Sequence, residues 1–418
     1  MRRRLRPIDE QVMVITGADS GIGLATAREA AERGAKVVLS SRNPEALAQI
    51  VDEIEREGGE AAFFACDVAD INGVLQLAET AVRQFGRIDT WVNNAGVSIY
   101  GEIERVPLED ARRLFETNYW GVVNGSLAAV PYLRATGGAL INVGSVVSDR
   151  AVPLQGHYSA SKHAVKAFTD ALRMELEKEG APVVVTLVKP ASIDTPYTRH
   201  AENLLDDGVP DLPAPVYAPE VVANVIIECA EHPIRNVTVG GGGRALAVMG
   251  NVAPRLADRQ MRAMMFREQR RDSPGALPQE NTLWTPSEFT GHMHGDYDGH
   301  VAHSSAYTGG SLNKGKLLLA LSAVGLGWFL VRNGGMMPGR RGELGTIEVD
   351  LEERTRTPGY TATGAGIEEV AYAHGATGTV SGGYTRTASE TIPPGTAVSG
   401  STVEVIGPSG TTTRYSGG

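Results

Sequence analysis

Two side chains able to move a proton stand at i and i+4 in the stretch HYSASKHA: Tyr158 and Lys162. On a helix they share one face, and a cation beside a phenol favours the phenolate, drawing its pKa down from ~10 toward working pH. Such a pair suits proton donation and acceptance. Ser159, Ala160 and Ser161 between them are small, which is expected to leave that face open to ligands. Taken alone the pair is more often an ordinary solvated helix face, so its chemistry depends on what the chain places beside it.

The elements that would position the pair are legible as an alternation from Val12 to about Val239. Strand candidates lie at 12–16, 36–40, 61–66, 89–93, 138–143, 183–188 and 236–240, separated by amphipathic stretches. Their continuous apolar character fits strands buried on both sides, so the fold class expected is α/β, a doubly wound parallel sheet. Asn43 and Pro44 supply an N-cap and first-turn proline, Gly58 a stop, and Pro219 opens a further helix. The first strand ends in TGADSGIG, residues 16–23, and runs into LATAREAAERG. Glycines there allow a tight turn and close approach to a phosphate, while the helix N-terminus adds free N–H groups and a positive dipole end. Between strand and helix at the head of an alternating pattern, the string indicates a nucleotide site.

Composition narrows the partners. The 418 residues are 42% apolar and 21% charged, the balance of a soluble globular protein. The net charge of −10 speaks against nucleic acid, which calls for a basic face; a small neutral or hydrophobic molecule fits better. Two cysteines, Cys66 and Cys229, build neither a disulfide framework nor a cysteine metal site and point to a reducing, cytoplasmic setting. Residues 1–8 are expected to be a basic, solvated arm without a secretory signal's apolar stretch.

The spacing Thr16-Gly17-x-x-x-Gly21-Ile22-Gly23 resembles that of the short-chain dehydrogenases/reductases, and further motifs follow in order. Asn94-Ala95-Gly96 closes the fourth strand, Asn118 lies in ETNYWG, Ser145 ends the fifth strand, and Tyr158 and Lys162 come next. The resemblance covers roughly residues 8–245 and implies a Rossmann-like domain at 9–245 that interconverts a carbonyl and an alcohol by hydride transfer. Tyr158 would donate or accept the proton, and Lys162 would lower its pKa and hold the nicotinamide ribose. Ser145 would hydrogen-bond the substrate oxygen, and Asn118 would position a water. Cofactor contacts are implied at Gly17, Ser20, Gly21, Ile22, Gly23, Asn94, Ala95 and Gly96, at Asp67 and Val68 in ACDV, and at Pro190, Ile193 and Thr195 in VKPASIDTP, where Ala191 replaces the family's usual glycine. After the second strand, Ser41 stands where NAD-preferring members carry Asp, and Arg42 offers a forked donor to a 2′-phosphate. NADP is therefore expected, with NAD as the other possibility. The family also implies a homodimer or homotetramer through helices within 107–134 and 157–178. A catalytically inactive nucleotide-binding regulator is the alternative function, disfavoured because Ser145, Tyr158 and Lys162 are all kept. A sugar-nucleotide epimerase or dehydratase is disfavoured by the glycine spacing.

Beyond Gly243 the alternation lapses. Residues 246–313 read as an extension with one Met-rich helix within 250–271, carrying Met261, Met264 and Met265, followed by irregular chain. Its GHMHGDYDGHVAH stretch reads as a polar loop rather than a metal site, so no metal is expected. Within 314–332, the uncharged run Leu317 to Val331 would span about 22 Å as a helix, short of a ~30 Å hydrocarbon core. It is a candidate membrane anchor or a docked apolar helix. The Gly/Thr/Ser-rich residues 333–418 are expected to be disordered, though STVEVIG has strand character.

Overall fold

A computed structural model describes residues 5–242, 249–250, 252–272 and 280–312, together with four strands beyond residue 376. The candidate anchor at 317–331 lies outside these residues, and among the described residues no helix is long and apolar enough to cross a membrane. Two compact units divide the chain, Met1–Met337 and Pro338–Gly418.

In the first unit, strands and helices alternate: β1 (Val12–Thr16), α1 (Gly21–Glu32), β2 (Lys36–Ser40), α2 (Pro44–Arg56), β3 (Glu60–Phe63), α3 (Ile71–Phe85), β4 (Thr90–Asn93), α4 (Leu108–Phe115), α5 (Gly121–Thr136), β5 (Ala139–Val143), α6 (Gly156–Lys178), β6 (Val184–Pro190), α7 (Pro219–Glu231) and β7 (Asn236–Val239). Seven strands form one sheet in the order β7-β6-β5-β4-β1-β2-β3, every pair parallel. Each expected strand is present. The third ends at Phe63 instead of Cys66, yet two more backbone bonds prolong its pairing with β2, Phe64 N–H to Leu39 O and Cys66 N–H to Ser41 O.

Burial on both faces explains the apolar runs. Met13, Ile15, Val37 and Leu39 pack on one side with Leu24, Ile50 and Ile226 of α1, α2 and α7. Val12, Val14, Val38 and Trp91 pack on the other with Leu77, Ala129 and Leu176 of α3, α5 and α6. Chain order reverses at β1, whose neighbours are β2 and β4, so a crevice opens at the carboxyl ends of β1 and β4, where doubly wound sheets take ligands. Asn43 caps α2, its Oδ1 accepting from Ala46 N at 3.0 Å, and Gly58 follows that helix with φ +91°.

The extension packs along this crevice. Its helix α8 (Pro254–Glu268) buries Met261 and Met265, and Val301–Ala302 pairs parallel with Val216–Tyr217, which pairs in turn with Ser192–Ile193. In the second unit, β8 (Thr377–Val380), β9 (Tyr384–Thr387), β10 (Thr402–Ile406) and β11 (Thr412–Ser416) form an antiparallel sheet in the order β9-β8-β10-β11. The β-branched Thr and Val of these segments favour strands, and β10 lies in the STVEVIG stretch noted for its strand character.

Candidate active site

The turn from β1 into α1 is stitched to the end of β4. Thr16 Oγ1 accepts from the amides of Asn94 and Ala95 at 3.0 and 3.1 Å, and Asn94 Nδ2 donates to Thr16 O and Gly17 O at 2.9 and 3.0 Å. A Cβ on Gly23 would lie 1.9 Å from Gly17 O, so only glycine lets the helix close on the turn. Helix N-termini leave their first amides without partners inside the helix. Here Leu24 N–H reaches Ser20 O at 3.2 Å and Gly21 N–H reaches His292 O at 2.9 Å; among the described residues the Ile22 and Gly23 amides find no acceptor.

At the end of β5, Ser145 caps the short turn Val146–Ser148, its Oγ accepting from Val147 N at 3.2 Å. That bond leaves the hydroxyl proton free to point elsewhere. Tyr158 and Lys162 lie one turn apart on α6, Nζ 5.8 Å from the ring centroid. Lys162 donates to Val143 O at 3.0 Å, and burial pushes its pKa down to about 8. Burial also raises the Tyr158 phenol, opposed by hydrogen bonds with the hydroxyls of Tyr197 and Ser145. Desolvation, not Lys162, thus sets the direction, and the groups that counter it are hydroxyls.

One more expectation changes. Ser159 and Ser161 are buried and do not open the helix face: Ser159 Oγ accepts from Val152 N at 3.3 Å, and Ser161 Oγ donates to Tyr158 O and accepts from Asn118 Nδ2 at 3.2 Å. Small side chains here let α6 pack closely against its neighbours. Asn118 sits in a π-helical turn, Glu116–Trp120, between α4 and α5, a distortion frequent at functional sites. Its Oδ1 accepts from Val97 N at 2.8 Å and its Nδ2 donates to Val97 O at 2.9 Å.

One cavity of about 520 Å³ gathers Gly17, Ser20, Gly21, Ile22, Arg42, Asp67, Val68, Asn94, Ala95, Gly96, Ser145, Tyr158, Lys162, Pro190, Ile193 and Thr195. Gly23 and Asn118 stand behind its wall. The substituted Ala191 keeps its backbone bond, N–H to Val239 O at 2.9 Å. Its methyl is accommodated by Gly240, where a Cβ would come within 2.8 Å of it.

At the far end, Arg42 donates to Thr282 O at 2.5 Å, Thr285 O at 3.0 Å and Leu283 O at 3.4 Å, and burial lowers its pKa. Asp67 pairs with Arg113. Sequence reasoning missed Asp19, a wall residue whose carboxyl burial pushes up, against a hydrogen bond with Ser41; its signal was an acid inside the glycine motif. Tyr197 was missed too. Its hydroxyl donates to Ser98 Oγ at 2.7 Å, and its ring meets those of Tyr158 and Tyr100 edge-on at 5.6 and 6.3 Å. Thr282, Pro286 and Ser287 of the extension also line the cavity. Met265 reaches it, whereas Met261 packs within the protein and Met264 is partly exposed. In the histidine-rich stretch, His294 bonds Glu220 at 2.8 Å and faces Asp194 at 3.4 Å, and His292 stacks on Phe289.

The cavity fits a dinucleotide. Unpartnered helix amides face the glycine turn, and among the described residues Thr117 Oγ1, in the cavity wall, is buried without a hydrogen-bond partner. Comparison with known proteins agrees. The family model described as short chain dehydrogenase matches residues 11–204. The uncharacterized oxidoreductase YxnA of Bacillus subtilis (strain 168) is 47% identical over 283 residues, 67% of this chain and 80% of that protein. A 3beta-hydroxysteroid dehydrogenase of Mediterraneibacter gnavus is 36% identical over 194 residues, 46% of this chain and 70% of that protein. The solved structure of a short chain dehydrogenase/reductase from Burkholderia phymatum in complex with NAD matches with a TM-score of 0.52 at 26% identity, covering 65% of this chain and 100% of that one. With its sheet order, glycine turn and Ser145-Tyr158-Lys162 corner, the chain belongs to the short-chain dehydrogenase/reductase family of oxidoreductases.

Proposed function

We propose that the protein interconverts a carbonyl and a primary or secondary alcohol, with Tyr158 as the proton donor or acceptor. The observation that carries this reading is that Ser145, Tyr158 and Lys162 line one cavity, with Lys162 one helical turn from Tyr158. A nicotinamide dinucleotide, bound at the glycine turn, supplies or takes the hydride. In the reducing direction Tyr158 gives its proton to the substrate oxygen, and its raised pKa keeps that proton in place at neutral pH. Ser145, oriented by its bond from Val147 N, donates to the same oxygen and stabilises the charge developing there. Lys162 brings a positive charge near the phenol and would hold the ribose of a bound dinucleotide, and Asn118 holds the α6 backbone through Ser161. Tyr197, whose ring meets that of Tyr158 edge-on, helps position the phenol.

A hydrophobic substrate is favoured. Val147, Val152, Leu212, Pro213 and Met265 line the catalytic end, and a relative acts on a 3β-hydroxysteroid by its name. NADP is the coenzyme expected from Arg42 beside the neutral Ser41. A second reading, NAD, is favoured by Asp19 at the same corner, since a carboxylate accepts from ribose hydroxyls and repels a 2′-phosphate. A homodimer or homotetramer through α5 and α6 is supported by the exposed apolar side chains of Trp120, Leu127 and Met174. The test is oxidation of NADPH and NADH by the purified full-length protein across ketones and aldehydes of graded hydrophobicity. Turnover with an apolar ketone is expected; no oxidation with any carbonyl would overturn the reading.

A further inference from the structure

The coenzyme cleft has a wall that no strand of the sheet and no helix packed on it provides. Residues 280–295 cross from the end of β2, past the glycine turn, to the end of β6, and they are tied down along the whole course. Arg42 holds the carbonyls of Thr282, Leu283 and Thr285, and Asn43 Nδ2 donates to Ser287 O at 3.0 Å. At the turn, Gly291 N–H donates to Asp19 O at 2.8 Å and His292 O accepts from Gly21 N at 2.9 Å. Gly295 N–H reaches Asp194 Oδ1 at 3.2 Å. From the outer side, Trp284 Nε1 donates to Asp110 Oδ1 at 2.7 Å, its ring lies under the Arg113 guanidinium, and Leu283 is buried among Val97, Ile99 and Leu114.

Resting on the coenzyme site assigned under Proposed function, we propose that this segment is a gate on coenzyme exchange, with Arg42 as its latch. Three facts carry it. The strap lines the same cavity as the glycine turn through Thr282, Pro286 and Ser287, so a dinucleotide lying against Arg42 and Gly21 is roofed by it. Most of its attachments to the turn are single backbone hydrogen bonds, individually weak and easily remade. Its firmest anchors, Leu283 and Trp284, lie off the cavity, so the strap can swing without dismantling the site. The likeness to YxnA spans 67% of this chain, more than residues 1–245 supply, so it reaches into the extension. Lids of this kind commonly make product or coenzyme release slower than chemistry.

The test uses the full-length protein with Trp284→Ala, which removes a half-exposed anchor, and with Leu283→Ala as a second variant. Stopped-flow fluorescence would follow release of NADPH and of NADH, and chymotrypsin cleavage at Trp284 or Phe289 would report strap opening with and without dinucleotide. Release is expected to quicken roughly tenfold in each variant, through loss of the Trp284–Asp110 hydrogen bond in the first and of the buried apolar contacts of Leu283 in the second. Dinucleotide should protect Phe289 in the wild type and less so in the variants. Dinucleotide binding with unchanged release in both variants would overturn the gate while leaving the coenzyme site standing. If neither dinucleotide binds wild type or variants, the functional reading fails and the gate with it. A structural role for Trp284 would lower the melting temperature and leave release untouched, which also counts against the gate.

Discussion

At the catalytic end of the cleft, the working side chains come from the sheet and its helices. Ser145 ends β5, Tyr158 and Lys162 share α6, and Asn118 sits between α4 and α5. At the adenosine end, the Arg42 side chain bonds to Thr282, Leu283 and Thr285, and the glycine turn bonds to Gly291 and His292, all far along the chain. The first arrangement depends on spacing within single elements and on the order of strands in a parallel sheet. The second depends on a long-range closure that no periodicity announces. On the proposed reading, chemistry at one end is built into the fold, while coenzyme exchange at the other is adjusted by an appended segment.

The same contrast governs how much was visible before the structure. The strands were readable because burial makes them apolar, on both faces in the middle of the sheet and only in part at the edge strand β3, where Phe63 is exposed. Tyr158, Lys162 and the glycine turn were marked by local spacing and Ser145 by the family resemblance, and all of them line one cavity. The electrostatics were not: a cation at i+4 implied a lowered phenol pKa, yet desolvation, a property of the whole packed site, decides its direction. Tyr197 and Asp19 lacked any spacing to mark them, and the strap carries neither regular secondary structure nor a motif. Its backbone bonds use peptide groups that every residue has, so its sequence is uninformative.

The sharpest way to break the comparison is at the catalytic end. Tyr158→Phe keeps the ring's edge contacts with Tyr197 but removes the proton, and kcat is expected to fall roughly 10²–10⁴-fold with coenzyme affinity nearly unchanged. Steady-state kinetics with direct coenzyme titration checks both. Full activity in this variant would mean the proton comes from elsewhere.

Next in size is the pH profile of carbonyl reduction. Lys162 has a pKa of about 8, below its ordinary value, so it is charged below that pH and neutral above it. Tyr158, raised by burial, keeps its proton across the same range. kcat/KM should therefore fall about tenfold per unit as pH rises above ~8, and Lys162→Met should abolish the inflection at a lower plateau. A limb that survives in Lys162→Met would assign it to another group.

At the adenosine end the effects are expected to be smaller and to fall on coenzyme preference. Asp19→Ser removes a carboxylate from the corner shared with Ser41 and Arg42, and the ratio of kcat/KM for NADP over NAD is expected to rise roughly tenfold, as relief of a like-charge contact would give. Turnover with a saturating preferred coenzyme should change little. An unchanged ratio would place the 2′ position away from Asp19 and favour Arg42 as the sole discriminator.

The smallest effect separates the sheet's contribution from the strap's at a single residue. Asn43 uses its Oδ1 to cap α2 through Ala46 N and its Nδ2 to hold Ser287 O. Asn43→Ala loses both, and removal of the cap alone costs about 1 kcal/mol, a fall of about 2–4 °C in melting temperature for a domain of 150–250 residues. Asn43→Asp keeps the acceptor, adds a charge favourable at a helix N-terminus, and turns the donor facing Ser287 O into a second acceptor. If local capping dominates, the Asp variant should melt near the wild type while exchanging coenzyme faster. Equal destabilisation in both would instead show that the strap contributes to the stability of the α/β domain, and the two ends of the cleft would then be one cooperative unit.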